Sequence, residues 1–355
     1  MADTSYGVNH PLAVKVWSRK LLHEALKQTW FSKFVGSDTN AIVYMKNDLE
    51  KGPGDRIRCG LRMLLVGDGI QGDNTLEGSE ESLVTYSDDL YINQLRHAVR
   101  SAGKMSEQRV PFSVREEARL GLTDWWADRL DTSFFNQLTG NTNQTDTRYT
   151  GNNATLAPTT VIFGNSDVNL TAASLSATTT SALTLRDFDR AVALAKTRSP
   201  MIRPIRMGGD DYYVAFIHTN AVYQLRGQTA TAQWADIEKA KVQGGKESGI
   251  FTGAIGVYNN VIFHEATRLP DMTGIGTPNS GTVADFRRAV LCGAQAMLMG
   301  YGQDGGSSVS WTEELFDYKN KLGVEAGMIF GMKKAQFNGA DYGVITLVGY
   351  APVLG

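Results

Sequence analysis

The stretch SVREEARLGLTDWWADRLDTSFFNQLTG, residues 113–140, decides how the rest of this chain is read. Ser113 and Glu116 make an S-x-x-E capping box behind Pro111, the arrangement that satisfies open amides at a helix start. Val114, Ala118, Leu122, Trp125, Trp126, Leu130, Phe134 and Leu138 recur at helical spacing, and Gly140 ends the run. The spacing predicts a helix over 113–139, about 40 Å long at ~1.5 Å per residue. Globular helices usually run to about three or four turns, so this one is expected to be the backbone of a domain.

Upstream the pattern is extended. DRIRCGLRM, 55–63, alternates Ile57, Cys59, Leu61 and Met63 against Arg56, Arg58 and Arg62, behind a Gly-Pro-Gly-Asp turn at 52–55. The acidic, glycine-rich stretch GDGIQGDNTLEGSEES, 67–82, separates it from a returning strand in LVTYSDDLYINQL, 83–95. Together they read as a long two-stranded excursion. A lone hairpin is marginal in water, and no adjacent sequence is expected to cover its apolar face, so it should rest on something else. Residues 11–34, PLAVKVWSRKLLHEALKQTWFSKF, read as a basic amphipathic helix with Pro11 in its first turn and Val14, Trp17 and Leu21 on its apolar stripe. The expectation is an arm packed on its own chain or on a neighbour.

Downstream, residues 141–183 are rich in Thr, Asn, Ser and Ala and hold no lysine or glutamate. They read as exposed loop around one strand candidate, TTVIF, at 159–163. A second helix is expected from Leu185 to about Lys196, with Thr184 as its cap and Phe188, Ala191, Val192 and Ala195 inward. Then follow a strand in DYYVAFIHT (211–219), a helical stretch in TAQWADIEKAKV (231–242) and a strand in VYNNVIFHE (257–265). RRAVLCGAQAMLMGYG, 287–302, is a helix or a buried strand; periodicity does not decide. VEAGMIFGM alternates Val324, Ala326, Met328, Phe330 and Met332, Asn338-Gly339 signals a turn, and YGVITLVGY (342–350) returns as a strand.

Composition narrows the function classes. The chain has 355 residues, 42% hydrophobic and 20% charged, the balance of an ordinary globular protein, and 37 glycines against 9 prolines suit many tight turns. A net charge of −2 gives no field to draw the chain onto DNA or an anionic membrane. No apolar run approaches the ~20 residues of a membrane span, and the polar start MADTSYGVNH has no signal-peptide core, so a soluble cytoplasmic product is expected. Cys59 and Cys292 match no metal or redox spacing and are expected to be small buried residues in a reducing compartment.

Chemistry finds no foothold. Gly67-x-Gly69-x-x-Gly72 matches a dinucleotide fingerprint, yet Asp73, Glu77, Glu80 and Glu81 follow it and would repel phosphate. The five histidines are scattered and read as structural. Glu116-Glu117 and Glu313-Glu314 are chain neighbours and read as solvated faces, and Trp125-Trp126 reads as packing anchors more than a sugar platform. No catalytic, cofactor-binding or metal-ligating residue is nominated, so neither an enzyme nor a cofactor is expected.

A basic arm, a long hairpin, one long helix, a mixed domain and closing strands make an unusual order of elements. That order resembles the α+β, HK-ninety-seven-type major capsid fold of tailed bacteriophages. NTLEGSEE (74–81), INQLRHAVRSAG (92–103) and RVPFSVREEARLGLTDWWADRLD (109–131) resemble the coat-protein family of N-four-type phages. So do IRPIRMGGDDYYVAFIHTNAVYQLR (202–226), IFTGAIGVYNNVIFHE (250–265) and WTEELFDYKNKLGVEAGMIFGMKKAQFNGADYGVITL (311–347). Residues 141–183 show no firm match.

The resemblance implies an N-terminal arm at 1–38 and an E-loop at 41–103 lying across a neighbour. It implies a P-domain at 104–200 and 306–355, with 113–139 as its spine helix, and an A-domain at 201–305. It implies hexamers and pentamers closing an icosahedral shell in the virion, assembled in the host bacterial cytoplasm. The shell encloses double-stranded DNA without sequence-specific binding, with scaffolding, portal and decoration proteins as possible partners and no membrane. The candidate inter-subunit residues are Trp17 and Leu21 on the arm and Arg56, Ile57, Arg58, Leu61 and Arg62 on the stem. At the tip they are Asp68, Asp73, Glu77, Glu80 and Glu81. An encapsulin-like compartment, a tail-tube protein and a glycan-acting enzyme are the other readings; for the last, no carboxylate pair can be nominated.

Overall fold

The computed structural model describes residues 29–47, 53–109, 113–164, 171–227, 254–302 and 309–353. Its first sheet runs in the order β1 (Val35–Gly36), β2 (Val43–Lys46), β12 (Met297–Tyr301), β14 (Lys321–Lys334), β13 (Ser310–Phe316), with β5 (Asn93–Arg100) also on β14. The second runs β6 (Val161–Phe163), β17 (Val344–Tyr350), β11 (Phe286–Cys292), β8 (Asp210–Ile217), β10 (Val261–Glu265), β9 (Ala254–Tyr258), with β7 (Ile205–Met207) on β8. Two small pairs join β3 (Arg56–Arg62) to β4 (Thr85–Tyr91) and β15 (Gln336–Phe337) to β16 (Ala340–Asp341). The helices are α1 (Lys104–Gln108), α2 (Val114–Thr139), α3 (Leu185–Thr197) and α4 (Thr219–Arg226).

The expected long helix is α2. Ser113 Oγ accepts the Glu116 amide at its start, and Gly140, left-handed at φ 63°, closes it. Its buried stripe, with Leu122, Trp126, Leu130, Phe134 and Leu138, joins one core with both sheets. Val324, Ala326, Met328, Phe330 and Met332 of β14 face it from the first sheet, and Tyr212, Val214 and Phe216 of β8 from the second. The alternate residues of β8, Tyr213, Ala215 and Ile217, pack with Phe188, Ala191, Val192 and Ala195 of α3 on the opposite face. Helices thus cover both faces of the second sheet, which explains why β8 reads as an unbroken apolar run. Thr184 and Asp187 form the capping box of α3.

Several expectations need correction. Residues 287–302 are neither one helix nor one strand: β11 lies in the second sheet and β12 in the first. The chain crosses between them at Gly293–Ala296, where Gln295 is left-handed at φ 57°. VYNNVIFHE is a hairpin, turned at Asn259 and Asn260, both at positive φ. The helix read over 11–34 does not run through its end, because Thr29 is extended and Trp30–Phe34 form a separate 3-10 turn that buries Phe31 and Phe34 in the core. Residues 141–164 are not a free loop. Gln137 Nε2 on α2 donates to the carbonyls of Thr150 (2.7 Å) and Asn153 (2.8 Å), and Asp341 Oδ2 accepts the Thr159 amide at 3.0 Å. Asp341 also pairs with Lys334 at 2.9 Å, both side chains essentially buried. Glu313 is no solvated carboxylate; strand alternation turns it inward, where Oε1 accepts from Arg115 Nε (2.6 Å) and Trp311 Nε1 (3.1 Å). The stretch 231–242 lies outside the described residues.

One buried cation fixes the far end of α2. Arg288, on β11 and fully buried, donates to the carbonyls of Thr139 (2.8 Å), Gly140 (3.0 Å) and Asp271 (2.8 Å), and to that of Thr273. Burial lowers its pKa to about 10, with Asp271 opposing the shift. Positive charge at a helix C-terminus also complements the helix dipole. Replacing it with an apolar side chain leaves several carbonyls unmet, each worth about 1–3 kcal/mol when buried. Arg288→Met is therefore expected to destabilise the subunit by about 3 kcal/mol or more, read as a lowered midpoint in denaturant; an unchanged midpoint would show that the lock contributes nothing.

Candidate assembly surfaces

The β3–β4 hairpin divides into a covered root and an uncovered tip. At the root, Ile57, Cys59 and Leu90 are buried with Leu298 and Ala335 of the same chain. Glycines make the close fit possible: a Cβ at Gly300 would lie 2.8 Å from Ile57 Cδ1 and 3.0 Å from Leu90 Cδ2, and one at Gly331 would collide with the Tyr91 carbonyl. Lys333 pairs with the buried Asp88 and donates to the Asp89 carbonyl at 3.0 Å. Asn153 clips the strand end, accepting from the Tyr91 amide (3.0 Å) and donating to its carbonyl (2.8 Å). No adjacent sequence covers Ile57 and Cys59; the hairpin root rests instead on strands of the same chain that are distant in sequence.

Coverage fades from Leu61 outward. Leu61 is half-buried and borders a cleft of about 170 Å³ beside Phe337 and Tyr342. Beyond it Leu64, Leu65, Val66, Leu83 and Val84 stand in solvent, Leu64 at 87% and Val66 at 83% exposure. A cluster of this kind on an otherwise soluble surface marks a contact site. These five were missed from sequence, where the alternation up to Met63 drew attention. The available signal was two short apolar runs, 64–66 and 83–84, facing each other across an acidic turn.

The charged candidates separate in the same way. Arg58 makes a two-pronged contact with Asp89 at 2.7 and 3.0 Å, and Arg56 lies 3.4 Å from the same carboxylate, so both serve the hairpin itself. Arg62 is exposed. Glu81 accepts the amides of Val66 and Gly67 at 2.7–3.0 Å and so staples the two arms of the tip. Glu80 accepts the Gly78 amide at 2.7 Å. Asp68, Asp73 and Glu77 are exposed and, among the described residues, make no hydrogen bond or ion pair. Gly69, Gly72 and Gly78 sit at positive φ in open space, and no helix follows them within 73–84, so the fingerprint at 67–72 lacks the helix start that a pyrophosphate needs. Trp17 and Leu21 lie outside the described residues.

The remaining candidates for chemistry are absorbed by packing. Trp126 is fully buried, while Trp125 stacks on His97 at 4.6 Å and lies under Arg129. His218 caps α4 by accepting the Asn220 amide, and His264 is buried with Lys33 Nζ 3.4 Å away. Cys59 and Cys292 are free and buried; burial pushes the Cys292 thiol well above its ordinary range. Among the described residues no group of three or more His, Cys, Asp or Glu is placed to hold a metal, and no helix is long and apolar enough to cross a membrane.

Comparison with known proteins points in one direction. The family model described as phage capsid protein matches residues 5–353. The major capsid protein of Pseudomonas phage KPP25 is 29% identical over 94% of this chain and 93% of its own length. The capsid of Ralstonia phage GP4 superposes with a TM-score of 0.81 at 29% identity, covering both chains fully. That of cyanophage Pam1 superposes at 0.72 with 22% identity, again over both whole chains, a likeness of fold.

The tip staple carries a pH signature. The amides of Val66 and Gly67 hold the Glu81 carboxylate below its ordinary pKa, so the staple is complete above the ordinary glutamate value and is lost as pH falls through the lowered one. The amide resonances of Val66 and Gly67 are expected to titrate together below the ordinary glutamate range, and Glu81→Gln to abolish that titration. Titration at the ordinary value would show that the staple is not formed.

Proposed function

The chain belongs to the phage capsid protein family, and we propose from that premise that copies of it close an icosahedral shell around the double-stranded DNA of a tailed bacteriophage. It is a major capsid protein with a structural role, its place is the virion capsid, and its fold is of the HK-ninety-seven type. The observation that carries the finer reading is the hairpin, whose root is buried in its own subunit while the apolar side chains toward its tip are exposed.

In this reading residues 1–38 are the arm and 41–103 the E-loop. Residues 104–200 and 306–355 form the P-domain around α2, and 201–305 the A-domain around capsomer axes. β17 hydrogen-bonds into the sheet of β8 and β11, so the C-terminal strand ties the two domains together. The hairpin tip reaches over the next subunit of a hexamer or pentamer. Burying a Leu or Val side chain contributes roughly 1.5–3 kcal/mol, whereas exposed ion pairs contribute at most about 1 kcal/mol each. Leu64, Leu65, Val66, Leu83 and Val84 therefore supply adhesion, and Asp68, Asp73 and Glu77 supply register. Closed symmetry repeats each modest contact around the shell and makes assembly cooperative.

The near-neutral charge suits a wall that holds DNA without gripping it. Assembly takes place in the host cytoplasm, with scaffolding, portal and decoration proteins as partners. Asp131 of α2 accepts the amides of Trp30 (3.0 Å) and Phe31 (3.4 Å), which ties Trp30 and Phe31 to the core. Trp17 and Leu21, outside the described residues, are the proposed contacts of the arm with a neighbour.

Expressed with the phage's other morphogenetic proteins, the chain is expected to sediment as megadalton closed shells; a stable monomer or dimer under those conditions would sink the proposal. Deleting Gly67–Ser79 and joining the arms by a short turn is expected to leave the monomer's melting temperature in place and to block shell closure. Equally stable shells from the deletion would remove the acidic turn and its register role from the mechanism. Trp17→Asp is expected to preserve circular dichroism while lowering assembly yield, and loss of folding would place that side chain inside its own subunit.

A further inference from the structure

Among the described residues, the first sheet has an edge with no partner. β5 pairs with β14 along one side, from Asn93↔Phe330 to Arg100↔Gly323. At the end of that ladder the Asn152 side chain donates to the carbonyls of both Asn93 and Phe330, and the Gln94 amide donates to the Asn93 side chain. Among the described residues, the outward backbone groups of 95–100 make no further hydrogen bond. All eight side chains of β5 except Leu95 are exposed. An open edge of this length is a template for another strand, and folded proteins normally cover or blunt it.

The charge at this edge is positive. Arg100 lies over the Phe316 ring at 4.4 Å and, among the described residues, has no carboxylate partner; the same holds for Lys104, just beyond the strand. Arg96 reaches Glu325 at 3.4 Å but remains 60% exposed. The hairpin tip has the complementary properties. Residues 63–84 carry five acids and no lysine or arginine, and their Leu- and Val-rich arms are suited to strands but belong to no sheet.

Resting on the shell reading above, we propose that the open edge of β5 receives the tip of a second copy's β3–β4 hairpin. One apolar arm of the tip adds as a strand beside residues 95–100, and Asp73 and Glu77 of the arriving tip face Arg100 and Lys104. Strand addition supplies main-chain hydrogen bonds that are indifferent to sequence, and the charges select direction and register. Each subunit gives one tip and accepts one, so the contact is head-to-tail and closes when the rotation completes a ring.

Two measurements test this. Hydrogen exchange compared between unassembled subunits and closed shells is expected to show the outward amides of 95–100 becoming protected on assembly; unchanged exchange there would overturn the proposal. Charge exchange identifies the occupant. R100E/K104E and, separately, D73K/E77K are each expected to lower shell yield at least about tenfold, an effect of ~1.4 kcal/mol per contact. Combining all four substitutions in one chain is expected to restore most of the yield. Protection without that rescue would mean that another segment occupies the edge, and full yield from either pair alone would mean that the charges do not select; both outcomes overturn the proposal. If the unaltered chain forms no shells at all, the shell reading itself fails and this inference falls with it.

Discussion

Helix α2 has to satisfy two sheets with a single apolar stripe. Leu122, Trp126, Leu130, Phe134 and Leu138 enter one continuous core that also holds the inner faces of β14 and β8, strands of different sheets. Interiors packed at this density transmit displacement instead of absorbing it. A shift of the helix would therefore move both sheets together. Arg288 reinforces the constraint, since its guanidinium ties the last carbonyls of the helix to the Asp271–Thr273 turn and to β11. Gln137 extends it to the 147–154 turns, and the Lys334–Asp341 pair to the loop around Thr159.

Around that rigid body, apolar surface is allotted unequally. The face of β14 toward the helix carries large side chains, while on the opposite face Gly323, Gly327 and Gly331 alternate with Glu325 and Ile329. A Cβ at any of the three would crowd a neighbour: the Phe316 ring, the Arg96 side chain and the Tyr91 carbonyl respectively. The bare backbone lets the hairpin root and the flanking side chains lie flush on the sheet. What the subunit gains at the root it leaves undone at the tip, where seven large aliphatic residues between 64 and 84 remain in water. A subunit built to remain alone would have little reason to keep that arrangement.

Local signals in the chain carried most of the fold. The cap at Ser113, the stop at Gly140, the Thr184 cap and the alternation from Val324 to Met332 each act within a few residues, and each was legible. Features that depend on distant partners were not. Whether 287–302 made one element or two turned on a crossover at Gly293–Ala296, and no periodicity reports which sheet a strand joins. Ile57 and Cys59 looked uncovered because Leu298 and Ala335, which bury them, lie far along the chain. Glu313 looked solvated because its partners are Arg115 on α2 and the Trp311 indole. Among the contact residues, Arg56, Arg58 and Glu81 were rightly placed on the hairpin, but sequence does not show that they are engaged within it. The exposed runs at 64–66 and 83–84 are too short to show a period, and the acidic, glycine-rich residues between them give the segment the composition of a polar loop.

A hairpin clamped at one end and free at the other is a lever. With about eleven residues between the last ladder pair and the apex, at ~3.3 Å per residue, the arm reaches roughly 35 Å. A tilt of about ten degrees at the root then carries the apex sideways by roughly 6 Å, the width of more than one strand spacing. Adjustments too small to disturb the packing of Ile57 against Gly300 are thereby magnified into the range over which neighbouring molecules can be met at different angles. One sequence, with one unaltered core, can in this way accommodate more than one local curvature.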